Sequence, residues 1–312
     1  MKKITYILFS ILLVANMACI KDPLEDIEAG DWNNERSVIN LKFENQVGTP
    51  TITRVDESTG TIELTINVSE IPDLSNIVLQ SIQTSYGATS SVEQGESLNF
   101  ENSDQTALLT VTSPTGKSRD YTIKVFSFEE TLLGTYDITD LIVYGGTGPE
   151  YGGGGVLPMT SKPWIWPETG GPEAELDNTL TFEMTGITAE GNTYGTITNN
   201  EGADGLYADF QYVLDPVTDV NPFYRTVPKA AGTWERNYAL DRIIFTFADG
   251  STSTAELVAA GTEDLGNGLS KVTTEQALAF DINGTDDWDN IYSDYDKFVK
   301  KPRRFWIDLT KQ

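Results

Sequence analysis

The chain has 312 residues, no histidine and a single cysteine, and its 47 acidic residues against 21 basic ones give a net charge of −26. The lack of histidine excludes Ser-His-Asp and Cys-His catalysis and every imidazole-ligated metal. A surface this acidic repels nucleic acid and anionic lipid headgroups, so the sequence predicts no nucleic-acid partner and leaves neutral ligands and cations open.

The first 18 residues have the pattern of a secretory signal peptide. Two lysines precede an apolar run over residues 4–15, and Ala18 stands directly before Cys19. These features are typical of secretory signals, and the run is shorter than the roughly 20 apolar residues that span a bilayer. The segment resembles a bacterial lipobox, with Asn16 where leucine is usual, which implies a lipid anchor on Cys19. An ordinary cleaved signal, with Cys19 incidental, is the alternative.

Residues 19–36 are predicted to form a lipidated acidic tether. Five acidic residues lie between positions 22 and 31, and the segment has no alternating pattern. The acidic stretch behind the cysteine resembles the surface-export signals of Bacteroidetes lipoproteins. This resemblance implies an outer-membrane protein, lipid-anchored and facing the exterior; a solvated linker without an export function is the alternative.

Alternating apolar and polar residues predict a β-sandwich over residues 37–127. The run at 61–68 alternates strictly, which puts one face of a strand on a core and the other in water. Turn-forming residues separate it from similar runs, as in a sandwich of short strands. The hairpin at 113–125 resembles the last hairpin of the immunoglobulin-like domains found in Bacteroidetes surface lipoproteins, and such domains mostly serve as spacers.

A second β-domain is predicted over residues 129–312. Strand-like runs recur from residue 133 to residue 309, and Asp249-Gly250 is a typical hairpin turn between two of them. The chain is therefore predicted to be all-β, with an N-terminal immunoglobulin-like β-sandwich followed by a C-terminal jelly-roll or lipocalin-like β-domain. A short helix is expected only within residues 287–299.

Residues 145–171 differ from the rest of this domain. The segment holds nine glycines, several prolines and two tryptophans, Trp164 and Trp166. Few of these residues suit a central strand, so the segment is predicted to be a long loop or an irregular edge. The two tryptophans argue against disorder, because their apolar area is costly to leave in water.

Aromatic residues beside carboxylates and amides suggest a sugar site in the second domain. Flat rings can stack on the C–H faces of sugars while carboxylates and amides accept hydroxyl protons. The candidate ligand-binding residues are Trp288, Trp164, Trp166, Tyr292, Tyr295, Asp287, Asp289 and Asn290. A place in the core is the open alternative for the three tryptophans of this set, whereas Trp234 and Trp306 are predicted to be core residues.

The segment 281–287 is a possible calcium loop, with Asp281, Asn283 and Asp286 as ligands. A solvated turn is the preferred interpretation, since the glycine and the bidentate acid of an EF-hand are out of place. No other cofactor is predicted. The basic residues at 297–304 either pair with the protein's own carboxylates or dock an anionic partner.

The layout of anchor, acidic tether, spacer and aromatic-rich distal domain resembles the surface glycan-binding lipoproteins of Bacteroidetes. The resemblance implies binding of a neutral polysaccharide or oligosaccharide without catalysis, beside an outer-membrane glycan transporter as a further partner. A structural or adhesive surface protein, such as a fimbria-like subunit, is the first alternative. A glycoside hydrolase that works with two carboxylates alone is the second.

Overall fold

The computed structural model describes residues 32–68 and 73–312. The predicted signal peptide, Cys19 and most of the predicted tether lie outside the described residues. Across the two described stretches, no helix combines the length and the apolar character needed to cross a membrane. Contacts divide the chain into two compact units: the first extends to Phe128 without Val47–Thr49, and the second holds those three residues and Glu129–Gln312.

Two sheets around one core make up the first unit. Its strands are β1 (Val38–Phe43), β2 (Gln46–Arg54), β3 (Thr59–Ile66), β4 (Ile77–Thr84), β5 (Thr89–Ser90), β6 (Ser97–Leu98), β7 (Thr106–Thr112) and β8 (Ser118–Ser127). One sheet has the order β1-β4-β6 and the other β2-β3-β8-β7-β5, with β3 and β8 parallel. Inward residues of both sheets, such as Phe43 and Tyr121, share one buried cluster. The unit is therefore all-β, and its immunoglobulin-like topology stays a prediction.

The second unit is an antiparallel β-barrel. Its strands are β9 (Gly134–Gly145), β10 (Gly155–Pro158), β11 (Thr179–Ile187), β12 (Thr193–Asn200), β13 (Gln211–Tyr212), β14 (Thr218–Asp219), β15 (Ala230–Asn237), β16 (Arg242–Thr246), β17 (Thr252–Gly266), β18 (Leu269–Asp281) and β19 (Pro302–Lys311). The sheet order β9-β11-β12-β15-β16-β17-β18-β19 closes because β19 pairs with β9. Each barrel strand pairs with the next one along the chain, whereas a jelly roll is built from Greek keys. The jelly-roll alternative is therefore wrong, and the up-and-down order belongs to the same class as the lipocalin-like alternative.

Side chains fill the interior of the barrel. The rings of Phe182, Phe245, Phe280 and Phe305 follow one another with centroids 6.2–6.3 Å apart, and all four are buried. Trp234 is also buried there, and its indole N–H donates to the carbonyls of strands β11 and β12. An eight-stranded barrel is just wide enough for such filling, so we look for a ligand site outside this core.

The hairpin of β17 and β18 folds back onto the outer face of the barrel. Asp308 of β19 pairs with Ala277 of β18. Lys271 lies six residues before Ala277, so in a straight strand it would be about 20 Å from Asp308. Its ammonium nevertheless lies 2.9 Å from the Asp308 carboxylate. The folded hairpin covers Trp306, which is fully buried on the outside of the barrel. The prediction that Trp234 and Trp306 are core residues is confirmed, although they lie in different cores.

The two ends of the barrel differ in their connections. The turn end carries the short connections 188–192 and 238–241. The loop end carries three long ones: 146–178, 201–229 and 282–301. These long connections contain short helical turns, at Pro149–Tyr151, Met159–Ser161, Pro163–Ile165, Pro172–Glu175, Asn221–Tyr224, Trp288–Asn290 and Asp296–Lys300. All predicted ligand-binding residues lie in the first and third of them.

Candidate functional site at the loop end of the barrel

A layer of buried aromatic residues joins the long connections to the barrel. Trp166 lies edge-on to Tyr224 and Phe298, with ring centroids 6.4 Å and 5.6 Å away. Tyr224 in turn packs against Phe305 of β19 and donates its hydroxyl hydrogen to the Phe298 carbonyl at 2.6 Å. Burial raises the pKa of the Tyr224 hydroxyl well above its usual value. The long connections therefore rest on a fixed hydrophobic base.

Trp166 was predicted to offer an exposed ring to a ligand, and this prediction is wrong. Its side chain is buried, and its indole N–H donates to the carbonyl of Met159 at 2.9 Å. Trp164, only two residues earlier, is 58% exposed. The helical turn at Pro163–Ile165 points the two side chains in different directions, which alternation along the sequence could not show.

Three exposed rings come together from the first and third connections, and we call Tyr151, Trp288 and Tyr292 the aromatic platform. Their side chains are 65%, 55% and 59% exposed. The rings of Tyr151 and Trp288 are 6.0 Å apart, and the Tyr292 hydroxyl donates to the Tyr151 carbonyl at 3.2 Å. Trp288 and Tyr292 were predicted site residues. Tyr151 was missed as a partner because it stands 141 positions from Tyr292 in the chain.

A buried carboxylate holds the two halves of the platform together. Asp296 is fully buried and accepts hydrogen bonds from the backbone N–H and the hydroxyl of Thr147, at 2.7 Å and 2.8 Å. The Thr147 hydroxyl oxygen accepts in turn from the backbone N–H of Asp287 at 2.7 Å. Gly148 has a left-handed backbone, and a Cβ there would stand 3.0 Å from the Trp288 ring. A side chain at position 148 would therefore crowd the edge of the Trp288 ring and strain the left-handed backbone.

Tyr292 has a strained backbone. Its φ of 82° lies in the left-handed region, where a bulky side chain is a genuine outlier. Such strain costs on the order of 1–3 kcal/mol and collects at functional sites. The ammonium group of Lys297 donates to the Tyr292 carbonyl at 2.6 Å, and burial lowers the pKa of this lysine. Tyr292 thus combines an exposed ring with a costly backbone conformation, and its carbonyl is bound by Lys297.

The other predicted site residues have more ordinary surroundings. Tyr295 is half-buried and packs against Tyr212, with ring centroids 5.3 Å apart, so its exposed-ring prediction is wrong. The Asp287 carboxylate accepts from the backbone and side-chain N–H groups of Asn290, which closes the helical turn that carries Trp288. Asp289 is exposed beside it. Asp287 and Asn290 therefore shape the platform rather than stand free for a ligand.

The predicted calcium loop does not gather its ligands around a cation. Asp281 pairs with Arg304 at 2.6 Å, and Asp286 pairs with Lys301 at 3.0 Å. Asn283 is exposed between them. Within residues 32–68 and 73–312, no group of three or more acidic or cysteine side chains could hold a metal ion. The calcium interpretation is wrong because basic residues of the 297–304 cluster neutralise these carboxylates.

A cleft of about 630 Å³ lies in the first and second connections, and we call it the acidic cleft. Its lining residues are Thr160, Pro163, Trp164, Trp166, Pro167, Glu168, Thr169, Gly170, Gly171, Pro172, Glu173, Ala174, Asp204 and Leu206. An ion pair of 3.1 Å between Lys162 and Asp294 joins the first connection, which lines the cleft, to the third, which carries Trp288 and Tyr292. Pockets of this size commonly bind small molecules.

Carboxyl groups with a raised pKa lie elsewhere, on the outer face of the barrel. Burial raises the pKa of Asp140 on β9, and the charge of Asp308 adds to this effect. Burial also raises the pKa of Asp308, although its contact with Lys271 opposes the change. Both groups lie beneath the folded hairpin, where Lys271 itself is buried.

No family model matches the chain, and no curated protein matches it. Among solved structures, a proposed secreted protein from Bacteroides fragilis aligns over 31% of this chain and 98% of its own, at 15% identity and a TM-score of 0.23. A proposed glycoside hydrolase from Bacteroides thetaiotaomicron aligns over 90% of this chain and 84% of its own, at 10% identity and a TM-score of 0.24. At TM-scores of this size, neither likeness supports a functional assignment.

Proposed function

We propose that this protein is a lipid-anchored surface protein that binds a neutral glycan at the aromatic platform without catalysis. The observation that carries the proposal is the exposure of the three platform rings at one place. The buried carboxylate of Asp296 connects the segments that carry them, and Tyr292 has a strained backbone. Rings of this size are costly to leave in water. Asp289 lies next to Trp288, is exposed, and can accept a hydroxyl proton from a sugar stacked on the ring.

The absence of catalysis is part of the proposal. A hydrolase that uses only carboxylates needs one of them protonated near neutral pH, which requires a raised pKa. Among the described residues, burial raises the pKa of two carboxyl groups, Asp140 and Asp308, and both lie under the folded hairpin. This placement supports binding over hydrolysis.

The binding experiment uses residues 20–312 on a glycan array, followed by titration of the glycan that binds. Trp288→Ala is expected to weaken binding by about 1–3 kcal/mol, or roughly one to two decades, because a stacking ring acts as a hot spot. Trp32→Ala is the matched control, because Trp32 lies in the first unit and is 56% exposed against 55% for Trp288. Equal losses from both variants, or no glycan bound, would contradict the proposal. If no glycan on the array binds and a protein partner is captured instead, the adhesive alternative is favoured.

The anchor has its own test. Cys19→Ser removes the only thiol of the chain and with it the site of the proposed lipid. The variant is expected to leave the membrane fraction for the soluble fraction, as measured by immunoblot after carbonate washing. Ala18→Ser, which keeps the thiol and a small residue before it, is the control. Retention of Cys19→Ser in the membrane fraction would reject the lipid anchor.

A further inference from the structure

The acidic cleft is a preformed cavity with one flat aromatic wall. The exposed indole of Trp164 lines it, the ring of Trp166 closes it from the buried side, and three prolines complete its apolar surface. The ammonium of Lys162 stands over the Trp164 ring at 5.2 Å and is itself paired with Asp294. A ligand in the cleft therefore meets a ring whose neighbouring cation is already neutralised.

Buried ion pairing fixes the cleft walls. The carboxylate of Glu175, directly behind the lining residues, lies 2.6 Å from the guanidinium of Arg225 and accepts the backbone N–H of Ala208 at 2.9 Å. The backbone N–H of Asp209 donates to the carbonyl of Gly170 at 2.6 Å. These bonds connect the first and second long connections, so a ligand finds the cleft already formed and its binding costs little ordering.

The charge of the cleft is negative and unbalanced. Glu168, Glu173 and Asp204 line it, and no lysine or arginine does. The Asp204 carboxylate accepts one backbone N–H, that of Leu206, at 2.8 Å. Within the described residues, no hydrogen bond or ion pair reaches the carboxylates of Glu168 and Glu173. Three carboxylates around the cleft produce a field that attracts cations and repels uronic acids and phosphates.

We propose that the acidic cleft is a second binding site, separate from the aromatic platform, for an amino sugar that carries a protonated amine. The flat face of the sugar lies on Trp164, and the amine lies among Glu168, Glu173 and Asp204. This site does not depend on the proposed function, since the platform and the cleft use different residues.

The test compares three β-1,4-linked hexamers that differ only at carbon 2 of each sugar: glucose, N-acetylglucosamine and glucosamine. Titration calorimetry on residues 20–312 is run at pH about 5.5, where amines are protonated and glutamates are mostly ionised. The glucosamine hexamer is expected to bind at least tenfold more tightly than the other two. Its affinity is expected to fall with added salt, because the contacts are between exposed charges.

A double variant tests the location. Glu168→Gln with Glu173→Gln is expected to weaken glucosamine binding by up to about tenfold, since two exposed ion pairs are lost. Glu63→Gln with Glu101→Gln is the matched control, because it removes two exposed carboxylates from the first unit. Equal affinities for the three hexamers, or no binding, would overturn the proposal. An equal loss of glucosamine affinity in the control variant would also overturn the proposal. The same holds if Trp288→Ala weakens glucosamine binding and the double variant in the cleft does not.

Discussion

The loop end and the turn end of the barrel are built from the same strands but differ in how they use buried polar groups. At the turn end, Glu130 is buried and bound by Arg236 at 2.6 Å, by the Thr193 hydroxyl at 2.6 Å and by the Tyr238 hydroxyl at 2.7 Å. At the loop end, Asp296 is buried to hold exposed rings in place. The buried carboxylate of the turn end therefore stabilises the fold, whereas the buried carboxylate of the loop end fixes the position of exposed rings.

The largest expected effect is a difference in stability between variants of two tryptophans at the loop end. Trp166→Ala removes a buried ring and is expected to lower the free energy of unfolding by about 3–5 kcal/mol. Trp164→Ala removes a ring that is 58% exposed and is expected to change it by less than about 1 kcal/mol. Chemical denaturation of both variants measures the difference. Similar stabilities would mean that the loop end has no fixed hydrophobic base.

A pH-dependent effect is expected at the turn end. Burial alone would raise the pKa of Glu130, but hydrogen bonds from Thr193, Tyr238 and the Leu132 backbone, with the charge of Arg236, outweigh it and lower the pKa. The ionised carboxylate therefore stabilises the fold above its unfolded-state pKa, and this contribution is lost as the pH falls through the lower folded-state value.

Glu130→Gln is accordingly expected to lower the free energy of unfolding by about 2 kcal/mol at pH 7. The decrease is expected to become smaller as the pH falls through the lowered pKa of Glu130. Denaturation curves between pH 7 and about 3 measure this. Glu190→Gln, an exposed change in the connection 188–192, is the control and is expected to cost nothing at any pH. Glycan binding is expected to survive in both variants. A cost that stays constant with pH would show that the carboxylate charge contributes nothing.

The smallest expected effect concerns the strain at Tyr292. Tyr292→Gly and Tyr292→Ala both remove the ring, but only glycine adopts a φ of 82° without cost. The glycine variant is therefore expected to be more stable than the alanine variant by about 1 kcal/mol, while both lose glycan affinity. Thermal denaturation of the pair tests this. An alanine variant at least as stable as the glycine variant would show that the backbone stores no strain.

The sequence determined the class of fold and several of its elements. Alternation of apolar and polar residues identified strands such as β3 and β8, and Asp249-Gly250 marked the hairpin between β16 and β17. The glycine-rich segment was correctly predicted to be irregular, with only the short strand β10 inside it. These features could be predicted because they depend on neighbouring residues and on the local backbone. Trp234 and Trp306 were assigned to the core for the same reason.

Only the tertiary structure decided how the ends of the barrel are used. Closure through β9 and β19, the return of the β17–β18 hairpin over Trp306 and the meeting of Tyr151 with Trp288 all join residues far apart in the chain. No periodic pattern records such contacts, because periodicity reports which face of one element is apolar and not what covers it. For that reason Trp164 and Trp166 looked equivalent in the sequence, whereas packing against Tyr224 and Phe298 buries one and leaves the other in water.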